Sequence, residues 1–449
     1  MLGNGAMISR PDELTRALLR GSAIALIVTV AAQGVGFLLQ LLLARWLGDV
    51  EFGYYSYAMA WLAVGLIAGK AGYDTALVRF VAEYDATNDV TRLSQVIAHA
   101  RRFTLTTSAC VSLVLVAVVL ALSPEPTELR RVLLFVAVLL PFAVYSEITA
   151  AVARGFRRVG AALAGDGVLR PVVVLTIMAS VGAYWPAGMH ASGATCAYIL
   201  GTLGSIVLTT SLLRRHRGVQ IARPGERSPS SARGWNTVAL PTMVANGSLV
   251  LLYSVDILML GWLANTTESG YYNIASKIAL LVLFAMNAAQ AIAAPMLSAA
   301  FATGRREDLC KVVGQMNLLA AVAAVPLSIG VMVFAGPLLG LLGAGYASAA
   351  GCLQLLALMQ LLNVLTGSVG TILSMSGNQA LLVRLLGFGL VLNALLNLVL
   401  IPRFGAEGAA WSALIAHTAW NVAGVALVRR RLRLDCTILA ALPALPLNR

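Results

Sequence analysis

Charge is scarce in this chain. Only 11% of its 449 residues are Asp, Glu, Lys or Arg, against about 25% in a soluble domain. That deficit excludes an ordinary water-soluble globule, while 59% of the residues are hydrophobic. Cysteine and histidine are also few, five and four. Cys110, Cys196, Cys310, Cys352 and Cys436 are scattered through or beside apolar segments. With no CxxC and no Cys/His ligand spacing, they read as structural thiols, and no metal site is expected. Long polar connections are missing on one side of the chain's apolar runs, where the joints are as short as "WPAGMHASG" and "ANTTESG". A membrane glycosyltransferase or polymerase needs an extramembrane loop carrying catalytic carboxylates, so no catalytic residue is assigned. "GLIAGKAG" (65–72) has the look of a phosphate loop, yet Ala71 stands where Ser or Thr is required and the stretch is apolar. No nucleotide or other cofactor is expected; energy must come from an ion gradient, the membrane potential or substrate flux.

What is there is a succession of apolar runs, each long enough to cross a bilayer as a helix. They fall at 21–44, 54–76, 103–122, 131–153, 162–184, 191–213, 236–263, 270–296, 313–341, 350–374, 382–401 and 407–428, about twelve spans. The first is too long for a signal sequence and lacks a small-x-small cleavage site, so it reads as a retained helix. Most of the 32 Lys and Arg residues fall in alternate connections, which places both termini in the cytoplasm. That asymmetry accounts for most of the net charge of +13 without a nucleic-acid partner. The Pro-, Ser- and Arg-rich stretch 214–235 is the one substantial linker. The expected domains are a cytoplasmic segment 1–20, an N-lobe 21–213, the linker 214–235, a C-lobe 236–428 and a cytoplasmic tail 429–449.

The two lobes are written in similar words. "WLGDVEFGYY" from Trp46 returns as "WLANTTESGYY" from Trp262. "RLSQVIAHA" (92–100) aligns with "DLCKVVGQM" (308–316), and "WPAGMHASGATCAYILGT" (185–202) with "IPRFGAEGAAWSALIAHT" (401–418). Three ordered matches at an offset near 216 indicate a duplicated six-helix unit. Because the number of helices per unit is even, the repeats are parallel, related by an axis along the membrane normal. Tyr54, Tyr55, Tyr271 and Tyr272 then fall at the outer interface, where aromatic rings anchor helices.

The blocks "GYYNIASKIA", "GAGYASAAGCLQLLALMQLLNVLTGSVGTILSMSGNQ" and "LIPRFGAEGAAWSA", with "LLARWLGDVEFGYYSYAMAWL" in the first half, carry a resemblance. The chain resembles the multidrug/oligosaccharidyl-lipid/polysaccharide (MOP) exporter superfamily, in its polysaccharide-biosynthesis, oligosaccharide-flippase branch. The resemblance implies a MATE-like all-α integral membrane fold of two pseudo-symmetric six-helix lobes. It also implies a transporter in the bacterial inner membrane that moves a polyprenyl-diphosphate-linked oligosaccharide to the outer leaflet by alternating access. Membrane lipids and other polysaccharide-assembly proteins are the implied partners. A lipid II-type flippase and a cation-coupled drug or metabolite exporter share that fold and stay open.

Ionisable groups within spans cost roughly 2.5–3.5 kcal/mol each on insertion scales, so each needs a partner or a wet cavity. Asp256, in the family-like "DILML", and Lys277 fall at matched depth on adjacent spans. They read as an intramembrane ion pair or as a site for a coupling cation or substrate. Their equivalents in the first half are Gln40 and Ala60. Lys70 with Asp74, and Asp166 with Arg170, are spaced to neutralise each other along a helix. The alternative is that Lys70, Arg170 and Arg79 face the cavity and receive a diphosphate. Gln33, Gln40, Asn246, Asn287, Gln290, Gln360, Asn363, Asn393 and Asn397 either line that cavity or bond helices together.

Overall fold

The computed structural model describes residues 11–122, 127–185, 188–214, 229–284 and 306–432, with isolated positions between 286 and 297 and residue 437. The first helix, α1 (Pro11–Lys70), doubles back at Gly48, whose φ of 74° lies in the left-handed region that glycine enters without a Cβ clash. The first two apolar runs thereby form two antiparallel spans. Ala71 and Gly72 break the second of these, and α2 (Tyr73–Ala86) continues it beyond the break. The first half goes on with α3 (Val90–Leu122), α4 (Glu128–Gly155) and the short α5 (Val159–Leu163). A π-helical turn over Ala164–Leu169 leads into α6 (Arg170–Tyr184), and α7 (Ala191–Arg214) closes the half.

The second half repeats the plan. It holds α8 (Pro229–Leu263), α9 (Thr266–Ala279), α10 (Arg306–Val333) and α11 (Ala335–Gly340). A 3₁₀ turn over Ala344–Ala349 precedes α12 (Ala350–Thr366), α13 (Val369–Met375) and α14 (Gln379–Leu432). Like α1, α14 contains two helices, here joined at Gly405 with φ 54°.

Among the described residues every regular element is helical, and eight helices are long and apolar enough to cross a membrane. This is the fold that apolar runs dictate, since in hydrocarbon a backbone must satisfy its own hydrogen bonds. The count of twelve and the cytoplasmic placing of the termini remain sequence expectations. Most of the expected linker lies outside the described residues, and α8 begins within it, at Pro229.

The duplication is visible as matched hydrogen bonds. Glu51, just after the Gly48 turn, accepts a hydrogen bond from Ala191 N at the start of α7, over 2.7 Å. Glu268, its repeat equivalent, accepts one from Ala406 N at the start of the last helix of α14, also over 2.7 Å. In each half the acid following the first hairpin serves the free N–H groups of the sixth helix.

Candidate substrate cavity and coupling site

The two halves meet along the second part of α1 and α9, with repeat-equivalent positions facing each other. Gly53 packs on Gly270 so closely that a Cβ on Gly270 would lie 2.9 Å from the Gly53 Cα. One turn further, Asn273 donates its amide to the Ser56 hydroxyl at 2.9 Å. Tyr271 donates to Asp49 at 2.9 Å, and Tyr346 donates to the Ala44 and Gly48 carbonyls freed by the turn. These contacts close the hairpin end, the end that the arginine distribution assigns to the outside. At the opposite end α2 packs on α8, through Tyr73 to Asn236, Trp235 to Tyr84 at 3.2 Å and Asn246 to Thr75 at 2.9 Å.

Between these closures lies a cavity of about 370 Å³. Gln40, Ser56 and Ala60 of α1 line it, with Tyr253 and Asp256 of α8, Tyr272 and Lys277 of α9, Gln360 of α12 and His417 of α14. Gln40 and Asp256 are repeat equivalents, as are Ala60 and Lys277, so the duplication brings all four to one space. A second cavity of about 370 Å³ shares Gln40, Lys277 and Leu280 with the first and continues past Gln33, Phe37, Phe284 and Asn287. Lys277 stands where the two chambers join.

Asp256 is 1% exposed, and three neutral groups hold its carboxylate. Tyr272 donates to one oxygen at 2.5 Å; Asn393 and Asn397 donate to the other at 2.8 and 2.7 Å. The two asparagines stand one turn apart on α14, so both amides reach one carboxylate oxygen. The ion pair that matched depth predicts does not form. Lys277 is not a partner of Asp256, and no described carboxylate pairs with either. The reason is geometric: helix spacing fixes depth, whereas pairing also requires the right face.

The tyrosines depart from expectation in the same way. Tyr55 and Tyr272 are buried, at 1% and 4% exposure, and only Tyr54 and Tyr271 are half-open. The turn directs alternate tyrosines of each Tyr-Tyr pair into the protein, one of them onto Asp256.

The other cations fall elsewhere. Arg170 pairs with Asp166 and donates to the Tyr198 hydroxyl at 3.1 Å. Ser146 and Ser205 donate to the same Asp166 oxygen at 2.7 and 2.6 Å. The resulting polar knot sits inside the first half, around the π-helical turn. Lys70 pairs with Asp74 at 3.0 Å. Arg79 reaches Glu83 only at 4.0 Å and is 71% exposed. None of these three lines the cavity that holds Lys277.

Sequence reasoning did not single out His417 or Tyr253. His417 donates Nδ1–H to the Ala413 carbonyl at 3.1 Å, and its ring lies 6.0 Å from that of Tyr253. A lone histidine in an apolar run gives no periodic signal, and only the folding of α14 against α8 puts it on the cavity wall.

Two halves that meet at both ends around a polar cavity are a fold shared with solved membrane transporters. A MATE-family multidrug-resistance transporter of the MOP superfamily, in its inward-facing conformation, superposes with a TM-score of 0.68 at 15% identity, over 88% of this chain and 98% of that one. The lipid II flippase MurJ in an inward closed conformation gives 0.70 at 14% identity, over 91% and 87%. The family model described as "Polysaccharide biosynthesis protein" matches residues 18–301, and the MatE model matches 241–399. The chain belongs to the polysaccharide biosynthesis protein family of the MOP superfamily, and its long apolar helices make it a multi-pass membrane protein. A "Probable flippase AglR" of Haloferax volcanii is 24% identical over 174 residues, 38% of this chain and 37% of the relative. The match thus spans little more than a third of that protein's length.

Proposed function

We propose that the protein moves a polyprenyl-diphosphate-linked oligosaccharide from the cytoplasmic to the outer leaflet of a bacterial inner membrane by alternating access. The lobes are taken as 21–213 and 236–428, hinged by the linker. The observation that carries this reading is Lys277, a cation on the cavity wall with no acidic partner among the described residues. An ammonium held within the membrane span is costly, and a diphosphate is the group that makes it favourable. The diphosphate role considered for Lys70, Arg79 and Arg170 passes to Lys277, because the first three lie off the cavity and each has a carboxylate within 4.0 Å. Asp256, buried and without a basic ion-pair partner among the described residues, is the group suited to take up a proton or a small cation as the lobes rock. Deleting the gene, in a strain without a second flippase, should trap the lipid-linked repeat unit in the inner leaflet. An unchanged outer-leaflet pool sinks the proposal.

A cation-coupled drug or metabolite exporter is the second reading, favoured by the unpaired Asp256 and by the MatE match. It requires that deletion change sensitivity to cationic compounds while the glycan pool stays intact. A lipid II-type cargo is separated from both by trapping of the peptidoglycan precursor instead.

A further inference from the structure

Beside Lys277 the cavity wall carries a chemistry that the diphosphate does not use. Gln40, Gln360 and His417 all line the cavity, and each carries a buried polar atom without a partner: Gln40 Oε1, Gln360 Oε1 and His417 Nε2. All three are acceptors. A carbonyl oxygen only accepts, so the contact between His417 Nδ1 and the Ala413 oxygen puts the proton on Nδ1 and leaves Nε2 with its lone pair. Tyr253 lines the same cavity, its ring 6.0 Å from that of His417.

Unmet acceptors select for a ligand that donates. An anion is repelled by them, and an apolar drug leaves them buried and unpaired, which is the strongest form of rejection a polar pocket has. A metal cation or an ammonium satisfies acceptors too, but in this cavity its place is the Asp256 carboxylate, and Lys277 opposes a second one. The remaining class is the neutral polyol: hydroxyl groups donate to the acceptors, and the C–H face of a sugar ring packs on an aromatic ring. A cavity of about 370 Å³ is near the lower end for small-molecule sites. It admits a sugar or two and not a whole repeat unit.

We infer that Gln360, His417 and Tyr253, with Gln40 across the lobe interface, form a subsite that recognises the neutral sugar next to the diphosphate. The inference rests on the flippase reading and adds a specificity element to it. Lys277 takes the diphosphate, and the acceptor wall reads the hydroxyls of the first sugar. The acceptors are closed from water in the conformation described. Entry of the sugar must part the wall, so recognition of the correct sugar favours the widened cavity over the contracted one.

The test is binding of short-chain probes to the purified full-length protein in detergent. The probes are geranyl diphosphate alone and geranyl diphosphate carrying glucose, galactose, N-acetylglucosamine or glucuronic acid. At least one neutral-sugar probe should bind about tenfold more tightly than geranyl diphosphate, the increment expected from two hydrogen bonds. The glucuronic acid probe should gain nothing. Gln360→Leu and His417→Phe should each remove most of the increment, read as the ratio to geranyl diphosphate within the same variant. His417→Gln, which returns an acceptor oxygen, should keep it and serves where the Phe variant does not fold. Equal binding of all probes by the unsubstituted protein overturns the subsite while leaving the flippase reading standing. So does an increment that survives the Gln360→Leu/His417→Phe double substitution. Failure to bind any prenyl diphosphate overturns both.

Discussion

Tyr272 donates its hydroxyl to Asp256 across 2.5 Å, joining the Gly-Tyr-Tyr turn of the second half to the one buried acid of the cavity. The acid is therefore held by three helices of the second half, α8, α9 and α14. Removing the donor while keeping the ring should expose its worth. Tyr272→Phe is expected to cost about 1.5–3 kcal/mol in stability, at the level of a hydrogen bond to a charged group. Tyr271→Phe, at the half-buried Asp49 contact, should cost less. Thermal unfolding of the two variants in detergent makes the comparison, and equal losses would count against a special role for the buried pair.

The matched acids Glu51 and Glu268 give a second expectation. Each accepts a hydrogen bond from a helix-start N–H, so Gln in either place keeps the shape and loses the charge that favours a helix N-terminus. Each substitution should cost about 0.5–1 kcal/mol. Because the two caps lie in different halves without a shared partner, the double variant should show the sum. A clear excess over the sum would mean that the halves are coupled through these turns.

Closure of the hairpin end can be tested by covalent means. Ser56 and Asn273 are in hydrogen-bond contact across the lobe interface. Cysteines placed there, in a chain whose five native cysteines are replaced, should cross-link under mild oxidation and stop transport until reduced. Gly53→Ala is the complementary change. Its Cβ would press on the Thr266 carbonyl, a backbone atom that cannot swing aside, so the lobes must part at that end. Such overpacking typically costs about 1–3 kcal/mol. Cross-linking should fall in the Gly53→Ala background; undiminished cross-linking would show that the contact is not the seal.

The sequence carried the fold in its apolar runs and the lobe relation in its repeats, because membrane insertion and duplication both leave periodic marks. The cavity was half legible. Asp256, Lys277 and their equivalents Gln40 and Ala60 were found by depth and offset, and the structure puts all four on one wall or another of a single space. What depth did not supply was azimuth. The rotation of each helix about its own axis decides that Asp256 faces Asn393, Asn397 and Tyr272 instead of Lys277. It equally decides that His417 reaches the cavity and Arg170 does not. The hydrophobic pattern of a membrane helix is nearly uniform around its circumference, so the sequence holds little record of that rotation.

Arg170 illustrates the consequence. With Asp166 beneath it and Tyr198 beside it, its guanidinium belongs to a structural knot and not to a binding surface. Arg170→Ala leaves Asp166 charged and buried with only serine donors, a change that typically costs about 3–5 kcal/mol when one partner of a buried pair is removed. Adding Asp166→Asn should restore part of the loss. The measurement is the yield and unfolding temperature of the purified variants. A stable Arg170→Ala protein with weakened substrate binding would return Arg170 to the list of substrate contacts.

Lys277 should behave in the opposite way. It lines both chambers, has no carboxylate partner among the described residues, and pays for its place only when an anion is bound. Lys277→Met keeps the length of the side chain and removes the charge. The unliganded protein should be as stable as before or more so, by up to about 1–3 kcal/mol, since replacing an unmatched charge with an apolar group of similar volume relieves its desolvation. Flipping of a prenyl-diphosphate-linked substrate in proteoliposomes should nonetheless fall at least about tenfold, the loss of one charge-assisted contact. Lys277→Arg, which retains charge, should recover much of that rate. A raised unfolding temperature with lost transport is a combination that a residue with only a structural role does not produce. Retained transport in Lys277→Met would remove the cation from the mechanism.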